Sequence, residues 1–487
     1  MIPPIPVLEH YGISPLNGFL PSDLPLQVLP DPYYARWEAI VANLQALLLS
    51  KRLRGVVERL PILSTCQLEN EAEWRRAYSV LGFISHAYIW GGDRPSERLP
   101  PCISIPFLDI ANHLEVPPVA TYAAVCLWNY KPLFPEEHID NLENLSTLTT
   151  FTGSLDESWF YLVSVAIEAR GAPIIPLMLD AVAAVRAHNS HTVTWCLRAF
   201  AERLDELSAL LQRMYENCDP HVFYHRIRPF LAGSKNMAEA GLLNGVMYED
   251  GSGRESYRQY SGGSNAQSAL LQFFDIMLGI EHRPTGQTRT SRDDVTEGSA
   301  PPPQHNFIQE MRSYMPGPHR RFLEHSTSVA NIREYVESHR HDRALCIAYD
   351  ACLAMLRSFR DKHVQMVSRY IIVKSRESRS QHRSISPRAA PQPVNLASAV
   401  GKVGKAVKPL RGTGGTALIP FLKQARDETG EPAIDAWARR LLSNGPAGAK
   451  SFARIGKVDE HADGQMEIVG LAGSWAMDDS EGGICHW

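Results

Sequence analysis

From Leu345 to Tyr370 the buried-type positions recur at alternating steps of four and three: Leu345, Tyr349, Cys352, Leu356, Phe359, His363, Met366 and Tyr370. That spacing predicts one long amphipathic helix with a single core-facing stripe. The same period predicts helices in "DESWFYLVSVAIEARG", "APIIPLMLDAVAAVRAH", "TVTWCLRAFAERLDELSALLQRMYENC" and "SNAQSALLQFFDIMLGI". The first of these opens on acidic residues and stops at a glycine, as a helix with ordinary ends does. Strand-like alternation is scarce. The expected fold class is mainly α, with a large all-helical domain behind a small mixed N-terminal one.

Residues 1–115 carry the mixed signals. A helix is expected over Tyr34–Leu49 with a short one after it, and another in "EAEWRRAYSVLGFISHAYIWGG". The stretch "LPPCISIPFLDIANHL" reads as proline-broken and partly extended. Helical periodicity then dominates 116–445, and 446–487 form a C-terminal extension low in core residues and expected to be partly disordered. Inside the helical domain, 281–304 and 374–411 are polar, Pro/Ser/Gly-rich and read as flexible loops.

Composition narrows the chemistry. With 487 residues, 44% hydrophobic and 21% charged, the chain is long enough for more than one core. Its net charge of −4 gives no electrostatic footprint for nucleic acid, and the basic tract after Lys374 reads as solvated. Eight cysteines without a CxxC pair suit reduced thiols in the cytoplasm. The proline-rich start is not a secretory signal, and no apolar run is expected to reach the ~18 residues of a membrane span. A cytoplasmic protein with no nucleic-acid or membrane partner is expected.

His363 stands out within its apolar stripe, with Arg360 one turn earlier. An imidazole there needs a partner for each ring nitrogen. It is either a core histidine bonded to a backbone carbonyl or a metal or haem ligand, and His86 of "GFISHAYIW" is the other candidate for burial. "VFYHRIRPFLAG" sets Phe223 and Tyr224 near Arg226 and Arg228. This is either a solvated helix end or an aromatic wall with a guanidinium fork for a flat amino acid. "YSGGSNAQS" reads as a glycine turn feeding a helix start near Ser264, and "RGTGGT" as a hinge or a closing loop tip. The latter lacks the lysine of a phosphate loop. HExxH, GxSxG and a His/carboxylate triad are all missing from the sequence. Haem is the cofactor that commonly takes a single protein ligand.

Taken in order, "GFLPSDLP", "HAYIWGG", "PPVATYA", "WFYLVSVAIEA", "CDPHVFYHRIRPFLAG", "GGSNAQS", "FFDIMLGI", "MRSYMPGPHRRFL", "FRDKHVQMVSRYI" and "GTGGTALIPFLKQARDET" resemble the indoleamine 2,3-dioxygenase family, fungal members above all. The resemblance implies a monomeric haem b enzyme that oxidises L-tryptophan with O₂ to N-formylkynurenine, the first step of tryptophan catabolism by the kynurenine route. It also implies an electron donor that keeps the iron ferrous. It places His363 as the proximal iron ligand, with Arg360 and its partner Asp275, and Arg320, near the haem propionates. It places Tyr122, Phe160, Ser164, Phe223, Arg228, Gly263 and Ser264 around the substrate, with Thr416 closing the site, and no obligatory acid or base. Asn265 and Ala232 depart from residues common in some relatives. A haem-binding sensor without efficient turnover is the competing reading, and a low-activity paralogue is its variant.

Overall fold

In the computed structural model, which describes residues 3–251, 256–285, 306–377 and 418–443 and three later strands, the long helices begin where side chains satisfy their free N–H groups. The helices that build the site region are α1 (Ala35–Ala42), α2 (Glu71–Trp90), α3 (Pro101–His113), α4 (Leu155–Gly171), α5 (Ile174–Arg186), α6 (Ser190–Gln212), α7 (Ala269–Met277), α8 (Gly317–Val329), α9 (Arg343–Val367) and α10 (Leu418–Glu428). Asn70 caps α2 by accepting from Ala72 and Glu73, and Glu73 reaches back to the Glu69 N–H. Ser154 caps α4, Asn189 caps α6 and Asp342 caps α9.

The apolar stripe forms as its period predicts. Leu345, Tyr349, Cys352, Leu356, Phe359, Met366 and Tyr370 are all buried along α9 and the turn that follows it. α9 makes its most extensive packing against α6, which also carries α5 and α4 on its flanks. One continuous apolar core runs from Leu8 through this bundle to Ile371, so the N-terminal elements share it with the helical ones.

Strands are few and short among the described residues. β1 (Arg98–Leu99) pairs in parallel with β4 (Val246–Tyr248), which pairs antiparallel with β5 (Tyr257–Arg258). β2 (Tyr130–Pro132) and β3 (Leu145–Thr147) form an antiparallel pair with Tyr130 opposite Thr147. Further on, Met466–Gly470 pairs antiparallel with both Asp459–Glu460 and Gly473–Ala476.

The structure departs from the sequence reading in three places. The helix expected over Tyr34–Leu49 breaks at Asn43, whose side-chain amide donates to the Ala39 carbonyl and competes with the backbone ladder. The stretch expected to be proline-broken is instead the continuous helix α3. Pro101 occupies its first turn, where a missing N–H costs nothing, and Pro106 is accommodated inside it. The third concerns apolar length. Leu155–Arg186, α4 and α5 together, is long and apolar enough by composition to cross a membrane, yet 78% of its most apolar window is buried within the protein. It packs against α6 inside the bundle. The loop tip around Thr416, most of 281–304 and 374–411, and most of the C-terminal extension lie outside the described residues.

A buried ion pair ties α1 to α2. Arg76 donates from Nε (2.9 Å) and Nη2 (2.6 Å) to the Glu38 carboxylate, which also accepts from the Leu29 N–H at 3.0 Å. Arg76→Ala leaves that carboxylate buried without its counter-charge. Chemical denaturation of the variant is expected to show a loss of about 3–5 kcal/mol. A loss below about 1 kcal/mol would mean the pair behaves as a surface bridge.

Candidate active site

α4, α7, α9, α10 and the irregular segments between them enclose one cavity of about 1460 Å³, counting its open mouth. The structure brings Tyr122, Phe160, Ser164, Phe223, Arg228, Gly263, Ser264 and His363 onto its walls.

Three π-helical turns border this cavity: Ala123–Leu127, Phe223–Ile227 and Ser368–Val373. Each widens the helical path and turns wall residues inward, Val125 and Cys126 in the first, Phe223 in the second, Tyr370 and Ile371 in the third. Phe160 and Phe223 lie 4.7 Å apart, tilted by 47°, and Tyr370 meets Phe223 edge-on at 5.7 Å. These rings form an aromatic corner with the geometry that flat apolar ligands favour.

Arg228 opens the short helix after the second π turn. It is only 2% exposed, and its guanidinium sits over the Tyr224 ring at 5.7 Å. Burial lowers it to about 10, so it remains a cation at neutral pH. Arg226, two residues earlier, is exposed. A buried cation beside aromatic walls is a docking point for an anionic group.

Backbone meets backbone where the glycine turn crosses this segment. A Cβ on Gly262 would lie 2.0 Å from the Leu231 carbonyl oxygen, and one on Gly233 2.2 Å from that of Tyr260. Only glycines allow that approach, and it brings Gly263 and Ser264 beside Leu231 on the cavity wall. Gln267 then staples the turn to the first π segment. It accepts from the Tyr122 N–H at 2.8 Å and donates to the Gly262 carbonyl at 2.9 Å.

His86 and His363 resolve differently. The His86 ring donates from Nδ1 to the Phe230 carbonyl (2.6 Å), and its Nε2 accepts from the Ala120 N–H (3.0 Å). Both nitrogens are satisfied, so His86 is a core residue. The His363 ring faces the cavity and has no hydrogen-bond partner among the described residues. The second partner expected for its ring is therefore missing from them. Burial pushes it down to about 4, with Arg360 adding to the effect, so at neutral pH it is an uncharged base with a free lone pair. That is the state a metal requires of an imidazole.

Arg360 and Asp275 form the anticipated pair, with both carboxylate oxygens at 2.7 Å from Nη2. Arg360 also donates to Thr429 and to the Ala425 carbonyl, and neither it nor Asp275 reaches the cavity wall. Arg320 is elsewhere. Its guanidinium pairs with Glu115 at 3.3 Å on the surface, because that carboxylate gathers both Arg320 and Arg321. Thr416 lies outside the described residues, although Leu418, two residues on, lines the cavity with Phe421 and Leu422 of α10.

Sequence reasoning missed Glu168, Ser268, Gln267, Cys126 and the α10 face. Glu168 had a legible signal: it falls four residues after Ser164 in an apolar helix, where an acid is out of place.

A model of the indoleamine 2,3-dioxygenase family matches residues 7–432. An indoleamine 2,3-dioxygenase of Saccharomyces cerevisiae is 44% identical, with 88% of this chain and 93% of the relative covered. One of Aspergillus nanangensis is 42% identical, with 88% and 98% covered. A 6-hydroxytryptophan 2,3-dioxygenase of Fusarium equiseti is 37% identical, with 86% and 96% covered.

The buried histidines make a prediction about acid. His86 is held down to about 4 and His319 to about 3, both by burial. In the unfolded chain each titrates near 6.5, so between that value and about 4 the unfolded state binds more protons. Stability is full above the unfolded value and falls with pH through this window, by up to about 1.4 kcal/mol per pH unit for each ring. Denaturant unfolding at about pH 7 and about pH 5 checks this, and His86→Gln should flatten the slope. Equal stability at both pH values would show that the rings charge inside the fold.

Proposed function

The chain belongs to the indoleamine 2,3-dioxygenase family, and we propose that it is a haem-dependent dioxygenase that cleaves the indole C2–C3 bond of L-tryptophan with O₂, giving N-formylkynurenine. The observation that carries this reading is the single cavity onto which the uncharged His363 ring, an aromatic corner and the buried Arg228 all converge. The donor set fits haem b. His363 offers an uncharged imidazole nitrogen, with no hydrogen-bond partner among the described residues, in an apolar setting. When bound, haem b supplies the iron that activates O₂, and an electron donor keeps that iron ferrous.

The remaining work falls to the chain's own side chains. The indole needs a flat apolar slot, which Phe160, Phe223 and Tyr370 provide. The α-carboxylate needs a replacement for its lost hydration, and the Arg228 guanidinium offers a two-pronged match. The apolar lining keeps water away from the reacting ring. Because no step demands that a side chain take or give a proton, catalysis here is positioning and exclusion of solvent.

Two expectations follow. His363→Ala should purify without haem, read as loss of the Soret band. A variant with a normal haem spectrum and full turnover would remove His363 from this role. Arg228→Leu should keep its haem but lower kcat/KM for L-tryptophan by the equivalent of about 2–4 kcal/mol, with much smaller losses for tryptamine or indole. Arg226→Ala should be nearly neutral. The assay is anaerobic reduction followed by air and L-tryptophan, with N-formylkynurenine measured. A crippled Arg226→Ala beside a silent Arg228→Leu would redraw the carboxylate site.

A further inference from the structure

Behind the cavity wall lies a carboxyl group that the proposed chemistry does not use. Glu168 sits one turn beyond Ser164 on α4 and is 1% exposed. Its Oε1 accepts two hydrogen bonds, from the Tyr122 hydroxyl at 3.0 Å and the Ser268 hydroxyl at 2.7 Å. Its Oε2 is buried with no hydrogen-bond partner among the described residues. Both donors line the cavity. Tyr122 leads into the first π turn, and Ser268 caps α7 at the end of the glycine turn.

A carboxylate in this position has no cation among the described residues to offset its charge. The groups facing it are the Tyr122 phenol and the Cys126 thiol from the π turn and the Ser268 hydroxyl from α7. Both titratable ones are themselves pushed up by burial and by Glu168. No charged side chain among the described residues counters it, and burial raises Glu168 to about 7. The two hydroxyl donors on Oε1 favour the charged form, but burial outweighs them.

We propose that Glu168 is a positioning residue of this dioxygenase, which clamps Tyr122 to Ser268 and so fixes the substrate-facing wall between the first π turn and the glycine turn. The clamp acts together with Gln267, which holds the Tyr122 backbone to the same turn. Losing the proton places a negative charge behind a wall that must receive a substrate carboxylate, so ionisation weakens substrate binding. This rests on the dioxygenase reading for the identity of the substrate, but the clamp itself is a property of the wall.

The test uses haem-loaded wild type, Glu168→Gln and Glu168→Ala. Two readouts are followed across neutral pH: KM and kcat for L-tryptophan, and the L-tryptophan-induced Soret shift of the ferric protein. Wild-type KM and dissociation constant should rise together above about pH 7 by about tenfold, with kcat changing much less. Glu168→Gln cannot ionise and should make both constants independent of pH over that range. Glu168→Ala strands two hydroxyl donors and should weaken binding by about tenfold at every pH. If Glu168→Ala fails to fold, the pH profile of Glu168→Gln alone decides. A Gln variant that keeps the wild-type pH dependence overturns the clamp, as does an Ala variant with unaltered affinity. If no protein forms product, the dioxygenase reading falls. The Soret titration still judges the clamp, because identical pH profiles for wild type and Glu168→Gln would refute it.

Discussion

An imidazole kept uncharged in an apolar stripe, with no protein group holding its ring among the described residues, is the constraint around which this fold is arranged. His363 bears a desolvation cost that His86 avoids by bonding both ring nitrogens. The helix can tolerate the unmet group only because its neighbours at Phe359, Met366 and Tyr370 are fully committed to the core. The long pairing of α6 with α9 holds that face rigid. A ligand for the imidazole therefore meets a preformed wall instead of having to order one.

The same helix end is anchored by charge. Asp275 of α7 receives Arg360 from α9 and His282 from the following loop, and His282 also pairs with Glu428 of α10 at 2.7 Å. Burial alone would raise the Asp275 carboxyl and lower the His282 ring, but Arg360 and His282 hold the acid down, while Asp275 and Glu428 hold the ring up. Asp275 and His282 thus each favour the other's charged form. A half-satisfied version would be worse than an apolar contact, so each member depends on the others. Its effect is to hold α10, with Leu418, Phe421 and Leu422, against the cavity. Arg360 then contributes to the site by placing a wall, since its guanidinium is occupied by Asp275 and Thr429.

How much of this was legible depends on the range of the interaction. The α9 stripe, the acidic start of α4 and the contrast between Arg226 and Arg228 are local, and periodicity or motif order carries them. The break at Asn43 turns on one side-chain hydrogen bond to the backbone, and α3 runs on through Pro106; a pattern of apolar positions encodes neither. The crossing of Gly233 with Gly262 joins segments about 30 residues apart. In sequence it reads only as two glycine-rich spots, and its meaning appears when the Cβ positions collide. Arg320 illustrates the same limit. Its motif neighbourhood did not reveal that Glu115 pairs with it, since that carboxylate lies 205 positions away in the sequence.

The three π turns suggest why a mostly α-helical chain can build a wide cavity at all. Regular helices packed side by side leave spaces about one side chain deep, since ridges fill grooves. A π turn inserts one residue into the path, spoils the ridge and rotates the residues beyond it. Here that happens on three separate segments, and each points its widened side at the same space. The lost helical regularity must be compensated close by. Tyr122 is held through Gln267 and Glu168, the Phe223 segment through the Gly233 crossing, and the Tyr370 segment through the Tyr370 hydroxyl donating to the Cys218 carbonyl at 2.5 Å. Each distortion is therefore paired with its own long-range tether. A chain that kept the aromatic corner but lost one tether would be expected to relax toward regular helix and narrow the cavity from that side.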